Sequence, residues 1–362
     1  MLKPVCTLTV CSAILFVPTA LLAQETAQQA PVTKVDEFHL KRVQIDDPNC
    51  QDPTNAALLY YGAWQCLAED TFHKVNEAVS CEDNGWTPAA SLVQRLRESS
   101  VAIAMLLRAA AAPKVDWGIE YSRGTYMLLP QVGRLRSTAR LFAADARRAV
   151  LDKAPDDAAE RVAAMFAVSK QCAETPVLIC SLVSMAIDHM ALLQVDYLIT
   201  SGVLTEVGTK RILEKMAELP AADPFGFRAS LRGEQMMTNA VWRGCHGPEG
   251  AAVFAEQVIA GLASAEGADP DLDRIRAMDR ATQLAELDKA NRYYAEAQSA
   301  LDAPDVLGRC EQLDRDVADG KYGLIGSHTL PKNLAKNYTS YRQHVWRHEE
   351  MLAKLRGVQP AH

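Results

Sequence analysis

The chain has 362 residues, of which 49% are hydrophobic and 23% are charged, and these shares are typical of a globular protein. They exclude a disordered chain, a collagen-like chain and a protein with many membrane spans. The formal net charge of -7 disfavours binding to nucleic acid or to an anionic membrane.

Residues 1–23 have the layout of a secretory signal peptide. Lys3 precedes an apolar stretch that ends at Ala23, and Ala20 is a small residue near that end. Leu21 stands where a small residue is preferred before the cut, so an uncleaved N-terminal anchor is the alternative. We therefore expect a periplasmic or extracellular protein, or a membrane-anchored one if the leader is retained.

Residues 24–53 are polar, contain Pro31, Pro48 and Pro53 and show no regular hydrophobic period. This pattern predicts an extended tether between the leader and the first helix.

The sequence pattern over 54–220 predicts an N-terminal helical lobe. Capping residues and apolar residues at helical spacing indicate helices over 56–69, 88–112, 135–150, 158–173 and 176–199, and one from Thr205 that ends before Pro220. We interpret 176–199 as a buried core helix rather than a membrane span, because Asp188, His189 and Asp196 interrupt it.

A turn over 221–226 separates this lobe from a C-terminal helical lobe, 221–362. Helices are expected over 248–265, over 270–303 with Asp269 as N-cap, and over 305–319. A last helix carries an apolar seam at steps of four and three, formed by Leu334, Tyr338, Tyr341, Val345, His348, Leu352 and Leu355. No strand-like run is long enough to found a sheet. The expected fold is all-α, with antiparallel helical hairpins packed in an elongated, repeat-like bundle.

The chain has nine cysteines, and two of them precede the expected cut. The odd number that remains leaves one thiol free or paired between chains if all the others form bridges. We expect Cys172 and Cys180 to be small buried apolar residues. A disulfide is expected only among Cys50, Cys66 and Cys81.

His344 and His348 lie one helical turn apart and could face one metal ion, with Glu349 nearby. Zinc needs a third ligand, and His348 belongs to the apolar seam, so the favoured interpretation is a core histidine beside a surface histidine.

Ser181, Ser184, Asp188 and the adjacent His189 contain the residue types of a hydrolase. Adjacent residues point about 100° apart on a helix, so His189 is poorly placed to serve those serines. Asp188 is expected to pair with an arginine on a neighbouring helix.

Cys245-His246 is similar to the second half of a c-type haem attachment site, with Met278 as a conceivable distal ligand. Trp242 stands where the first thioether cysteine should be. Glycine and proline around this segment explain it as a break between two helices.

Five arginines cluster around Asp145 and could grip an anionic partner; they are Arg134, Arg136, Arg140, Arg147 and Arg148. In an acidic chain we expect them instead to pair with carboxylates of adjacent helices.

Several short stretches resemble a group of exported bacterial helical proteins to which no activity is assigned. They are Asp116-Trp117-Gly118, Leu128-Leu129-Pro130, Leu135-Arg136, Ala139-Arg140-Leu141, Asp145-Ala146, Pro176 to Ile187 and Asp223-Pro224-Phe225-Gly226. The resemblance covers about residues 55–237 and implies helical fold and export, but no functional residue.

The sequence therefore predicts an exported, non-catalytic helical protein that binds or scaffolds a protein partner. We expect no cofactor, no nucleic-acid partner and no membrane insertion apart from a retained leader. The alternative is an enzyme, or a metal or haem carrier, that uses His189, the pair His344 and His348, or Cys245-His246.

Overall fold

The computed structural model describes residues 54–244, except 69, 80–84, 120 and 122–127, and residues 274–357, except 276. These residues form 13 helices and no strand, which confirms the all-α class. The helices are α1 (Ala56–Gln65), α2 (Thr71–Ala78), α3 (Ala90–Glu98), α4 (Ser100–Ala111), α5 (Pro130–Leu151), α6 (Pro155–Ala173), α7 (Leu178–Thr200), α8 (Glu206–Met216), α9 (Phe227–Gly244), α10 (Arg280–Ala300), α11 (Val306–Ala318), α12 (Gly323–Thr329) and α13 (Leu334–Leu355).

Side-chain caps set several helix starts. Asn55 accepts a hydrogen bond from the Ala57 amide at the start of α1, and Thr205 accepts one from the Gly208 amide at the start of α8. Each cap satisfies a backbone donor that has no partner within the helix. Both starts agree with the sequence prediction.

Two predicted helices are divided in the structure. The helix expected over 88–112 breaks at Ser99 into α3 and α4. The helix expected over 270–303 is not continuous, because α10 begins at Arg280 with Asp279 as its N-cap. The expected cap Asp269, like the expected helix over 248–265, lies outside the described residues.

Helices α5, α6 and α7 pack against one another at the centre of the larger hydrophobic cluster. Many of their buried residues are alanines, whose small side chains allow close helix packing. Among the described helices, α7 alone is long and apolar enough to cross a membrane, and 61% of its apolar window is buried within the protein. Its burial agrees with our interpretation of a core helix.

The described residues from 54 to 357 belong to one compact unit. It contains two hydrophobic clusters, one drawn from residues 56–216 and the other from residues 225–345 together with Met185. The division into lobes at 220, and the elongated, repeat-like arrangement of hairpins, stay predictions.

Candidate functional site

Asp188, His344 and His348 meet in the interior between α7 and α13. The Asp188 side chain is fully buried, with 0% exposed. Its Oδ2 lies 2.9 Å from Nε2 of His344, and its Oδ1 lies 3.0 Å from Nδ1 of His348. The two histidines are one helical turn apart, so their rings lie on the same face of α13 and approach one carboxylate.

The hydrogen bonds of His348 define its protonation state. Nε2 lies 3.3 Å from the carbonyl oxygen of Met216 at the end of α8. A carbonyl only accepts, so Nε2 carries a hydrogen, and Nδ1 must also carry one to donate to an ionised Asp188. These contacts favour an imidazolium at His348, paired with a buried carboxylate.

Electrostatics agree with this assignment. Burial favours the neutral ring of His348, but the Asp188 charge and the hydrogen bonds outweigh burial and raise its pKa. Burial also favours a neutral Asp188, but His348 and His344 together lower its pKa to about 2. The expectation that Asp188 pairs with an arginine is wrong, because two histidines of α13 occupy both carboxylate oxygens.

Aromatic rings enclose the site. The ring centroids of Phe225 and His344 are 4.9 Å apart, and those of Phe166 and His348 are 5.8 Å apart. Both histidines are buried, so the prediction of a core histidine beside a surface histidine is wrong for His344. The ion pair therefore lies in an apolar environment, where electrostatic attraction is stronger than in water.

His189 lies at the edge of this site. Its half-buried ring is 6.3 Å from the ring of His344. Burial, together with nearby His344 and Arg347, lowers the pKa of His189 and favours the neutral ring.

The histidine pair proposed as a metal site meets an internal carboxylate instead. Both ring nitrogens of His348 bond to protein groups, and the side chain of Glu349 is exposed. Within the described part of the chain, no group of three or more histidine, cysteine or acidic residues could hold a metal ion.

Ser181 and Ser184 do not join the histidines in a catalytic arrangement. The Ser184 hydroxyl donates to the carbonyl of Ser169 on α6 at 2.8 Å. The hydroxyl of Ser181 is buried and has no hydrogen-bond partner.

Arg147 forms a second buried polar site beside α7. Its guanidinium lies between the rings of Trp86 and Tyr197, 4.0 and 4.2 Å from their centroids. It donates from Nε to Gln194 at 2.9 Å and from another nitrogen to the carbonyl of Trp86. The sequence predicted carboxylate partners on adjacent helices, whereas the structure places the Arg147 guanidinium between two aromatic rings in the interior.

Arg148, another arginine of the cluster, pairs with carboxylates on and just beyond α5. Arg148 forms ion pairs with Asp145 on its own helix and with Asp152 just beyond the end of that helix. Asp145 also pairs with Arg161 of α6 at 3.0 Å. The prediction of partners on adjacent helices is therefore wrong for Arg148.

Described cysteines are all free thiols: Cys66 is exposed, while Cys172, Cys180 and Cys310 are buried. This confirms the buried state expected of Cys172 and Cys180. The disulfide expected among Cys50, Cys66 and Cys81 stays a prediction, because Cys66 is the one member of that set that the structure describes. Cys50, Cys81 and the segment Cys245-His246 lie outside the described residues.

Sequence reasoning missed Phe225 and the Met216 carbonyl as parts of the histidine site. The signal for Phe225 was its place in a short apolar turn just before α9, but nothing local indicates which helix it covers.

Comparison with protein-family models, with curated proteins and with solved structures finds no match to this chain.

Proposed function

We propose that this chain is an exported, non-catalytic helical protein that binds a protein partner through the outer face of α13. The inner face of α13 is committed to Asp188, since His344 and His348 point into the core. This fixes the helix in place and gives it a rigid outer face.

Trp346 is the observation that carries the proposal. It lies on the outer face of α13 and is 56% exposed. Arg342 precedes it by one helical turn and Glu350 follows it by one turn, both exposed. Tryptophan and arginine supply most of the binding energy at many protein interfaces, and a rigid helix presents them with little loss of conformational entropy.

Site-specific cross-linking tests this surface. A photoreactive phenylalanine analogue replaces Trp346 in the full chain, and the same analogue replaces Leu307, an apolar residue of α11 that is 42% exposed, as the matched control. We expect a discrete protein adduct in the envelope fraction from position 346 and none from position 307. Equal labelling from both positions, or none from position 346, would refute the proposed surface.

Export has its own test. Cell fractionation and N-terminal sequencing should find the protein outside the cytosol, with a chain that begins at Gln24. Recovery in the cytosol with the leader intact would contradict export and leave the α13 surface to be judged by cross-linking alone.

A second candidate function, an enzyme or a metal carrier, rests on the proximity of His189 to the Asp188–His344 pair. A neutral imidazole next to a carboxylate-bound histidine can accept a proton or bind a metal. Metal analysis of the untagged protein and of a His189→Ala variant tests this candidate. One bound metal per chain that is lost in the variant supports it, and wild-type protein without metal refutes the metal carrier.

A further inference from the structure

Helices α6 and α7 approach very closely along one seam. The hydroxyl of Ser169 donates to the carbonyl of Ser184 at 2.9 Å, and the hydroxyl of Ser184 donates to the carbonyl of Ser169 at 2.8 Å. So short a side chain reaches the backbone of the opposite helix only where the two backbones nearly touch.

Cys172 and Cys180 occupy the next turn of the same seam. Cys172 follows Ser169 by three residues, and Cys180 precedes Ser184 by four, so both lie one turn nearer the connection between the helices. The Cys172 thiol donates to the carbonyl of Cys180 at 3.5 Å. This contact with Cys180, together with burial, raises the pKa of Cys172.

We propose that Cys172 and Cys180 form a disulfide bond that links α6 to α7 when the chain folds in an oxidising compartment. A disulfide requires a short separation between its two Cβ atoms, about 3.8 Å, and the Cys172 thiol already reaches the backbone of Cys180 across the seam. The inference rests on the proposed export, because disulfides persist outside the cytosol.

Oxidised glutathione, or another small disulfide, accepts the electrons. The thiolate of one cysteine attacks the small disulfide, forms a mixed disulfide and releases one glutathione thiolate. The thiolate of the other cysteine then attacks the protein sulfur of the mixed disulfide and expels the second glutathione. The protein loses two protons and two electrons, and glutathione gains them.

Burial places this reaction before the final packing step. Each cysteine is only 1% exposed. The connection between α6 and α7 is covered by α9, where Glu234 accepts a hydrogen bond from the Leu178 amide at 2.9 Å. A small disulfide therefore reaches the thiols while α6 and α7 are forming their contact, and the finished bond is shielded from reductants.

Peptide mapping tests the bond on the full chain. The protein is reduced, unfolded in guanidinium, refolded in a buffer of reduced and oxidised glutathione, unfolded again and alkylated with N-ethylmaleimide. Trypsin leaves both cysteines on one peptide, 171–210, because no lysine or arginine lies between Lys170 and Lys210. Cleavage after Glu174 then separates the two cysteines along the backbone.

A disulfide predicts an unalkylated 171–210 peptide that is two hydrogen masses lighter than the reduced peptide. The pieces 171–174 and 175–206 stay joined after cleavage at Glu174 and Glu206 and separate on addition of dithiothreitol. A peptide with two maleimide groups, or one joined to Cys66, Cys245 or Cys310, overturns the proposal.

The same mapping on protein from cells that carry the native leader separates this proposal from export. A linked peptide after refolding, with alkylated thiols in the protein from cells, would overturn export and keep the disulfide geometry.

As a further check, the oxidised protein should melt roughly 5 °C higher than the reduced protein. A Cys66→Ser variant, which removes an exposed thiol, should show the same difference in melting temperature. If neither the wild-type protein nor this variant melts higher when oxidised, the disulfide between Cys172 and Cys180 would be overturned.

Discussion

Replacement of the buried carboxylate by its amide, Asp188→Asn, removes the charge that holds His344 and His348 against α7 and keeps the side-chain shape. A carboxyl pKa held at about 2 instead of 3.8 corresponds to about 2 kcal/mol of folding free energy. Loss of one partner from a buried ion pair costs about 3 to 5 kcal/mol, because the other charge remains in the interior. We therefore expect the variant to lose about 3 kcal/mol.

The pH dependence of stability follows from the same pair. The pKa of His348 is raised above 6.5, so its contribution is fully present below pH 6.5 and is lost as the pH rises through the raised value. The pKa of Asp188 is lowered from 3.8, so its contribution is present above pH 3.8 and is lost as the pH falls toward 2. The stabilisation that this site gives the wild-type protein is therefore greatest between pH 3.8 and pH 6.5. Above pH 6.5, loss of the His348 charge lowers the free energy of unfolding, and Asp188→Asn should abolish this decrease.

Urea unfolding followed by circular dichroism at pH 5.5 and pH 8.5 measures both effects. Asp196→Asn is the matched control, because Asp196 joins the same two helices through Lys354 at 3.2 Å but is 39% exposed. Such a surface pair contributes at most about 1 kcal/mol. A loss in Asp188→Asn no larger than that of the control, or an unchanged pH profile, would refute a stabilising ion pair.

Three further substitutions test the packing by the same urea unfolding. Gly233→Ala should cost about 3 kcal/mol, because a Cβ atom there would lie 1.4 Å from a backbone carbonyl oxygen; wild-type stability would show that α9 packs elsewhere. Gly133→Ala is its control, since no atom of the described residues lies within 4 Å of the added Cβ atom, and it should gain about 0.5 kcal/mol from helix propensity. A loss there would mean that glycine is required on α5. Arg147→Lys should cost about 2 kcal/mol, because an ammonium cannot stack flat between two aromatic rings; a change below about 0.5 kcal/mol would mean that the stack contributes little.

Local sequence patterns predicted most of the helices because capping and apolar spacing act within a few residues. The apolar seam of the last helix is an example: α13 spans Leu334–Leu355, and its seam residues Tyr341, Val345 and His348 are buried. For α9, the glycine and proline around Cys245-His246 predicted only that a helix ends there, and Gly233 within α9 is explained only by the backbone it approaches.

Partners of the candidate residues could not be predicted in the same way. Asp188 and His344 are 156 residues apart in the chain, so only the packing of α13 on α7 brings them together. The sequence identified each as a candidate but assigned an arginine to Asp188. Similarly, the contact of Cys172 with Cys180 depends on the close approach of α6 and α7 rather than on cysteine spacing.

The protonation state of His348 tests the central claim most directly. Nitrogen-15 NMR of the histidine rings at pH 6.5, where an ordinary histidine is half protonated, reports the hydrogen on each ring nitrogen. A structural ion pair with Asp188 raises the pKa of His348 above 6.5 and predicts that Nδ1 and Nε2 both carry hydrogen in most molecules. A bare nitrogen on His348 at this pH would contradict the account and leave that nitrogen available for a metal or a substrate.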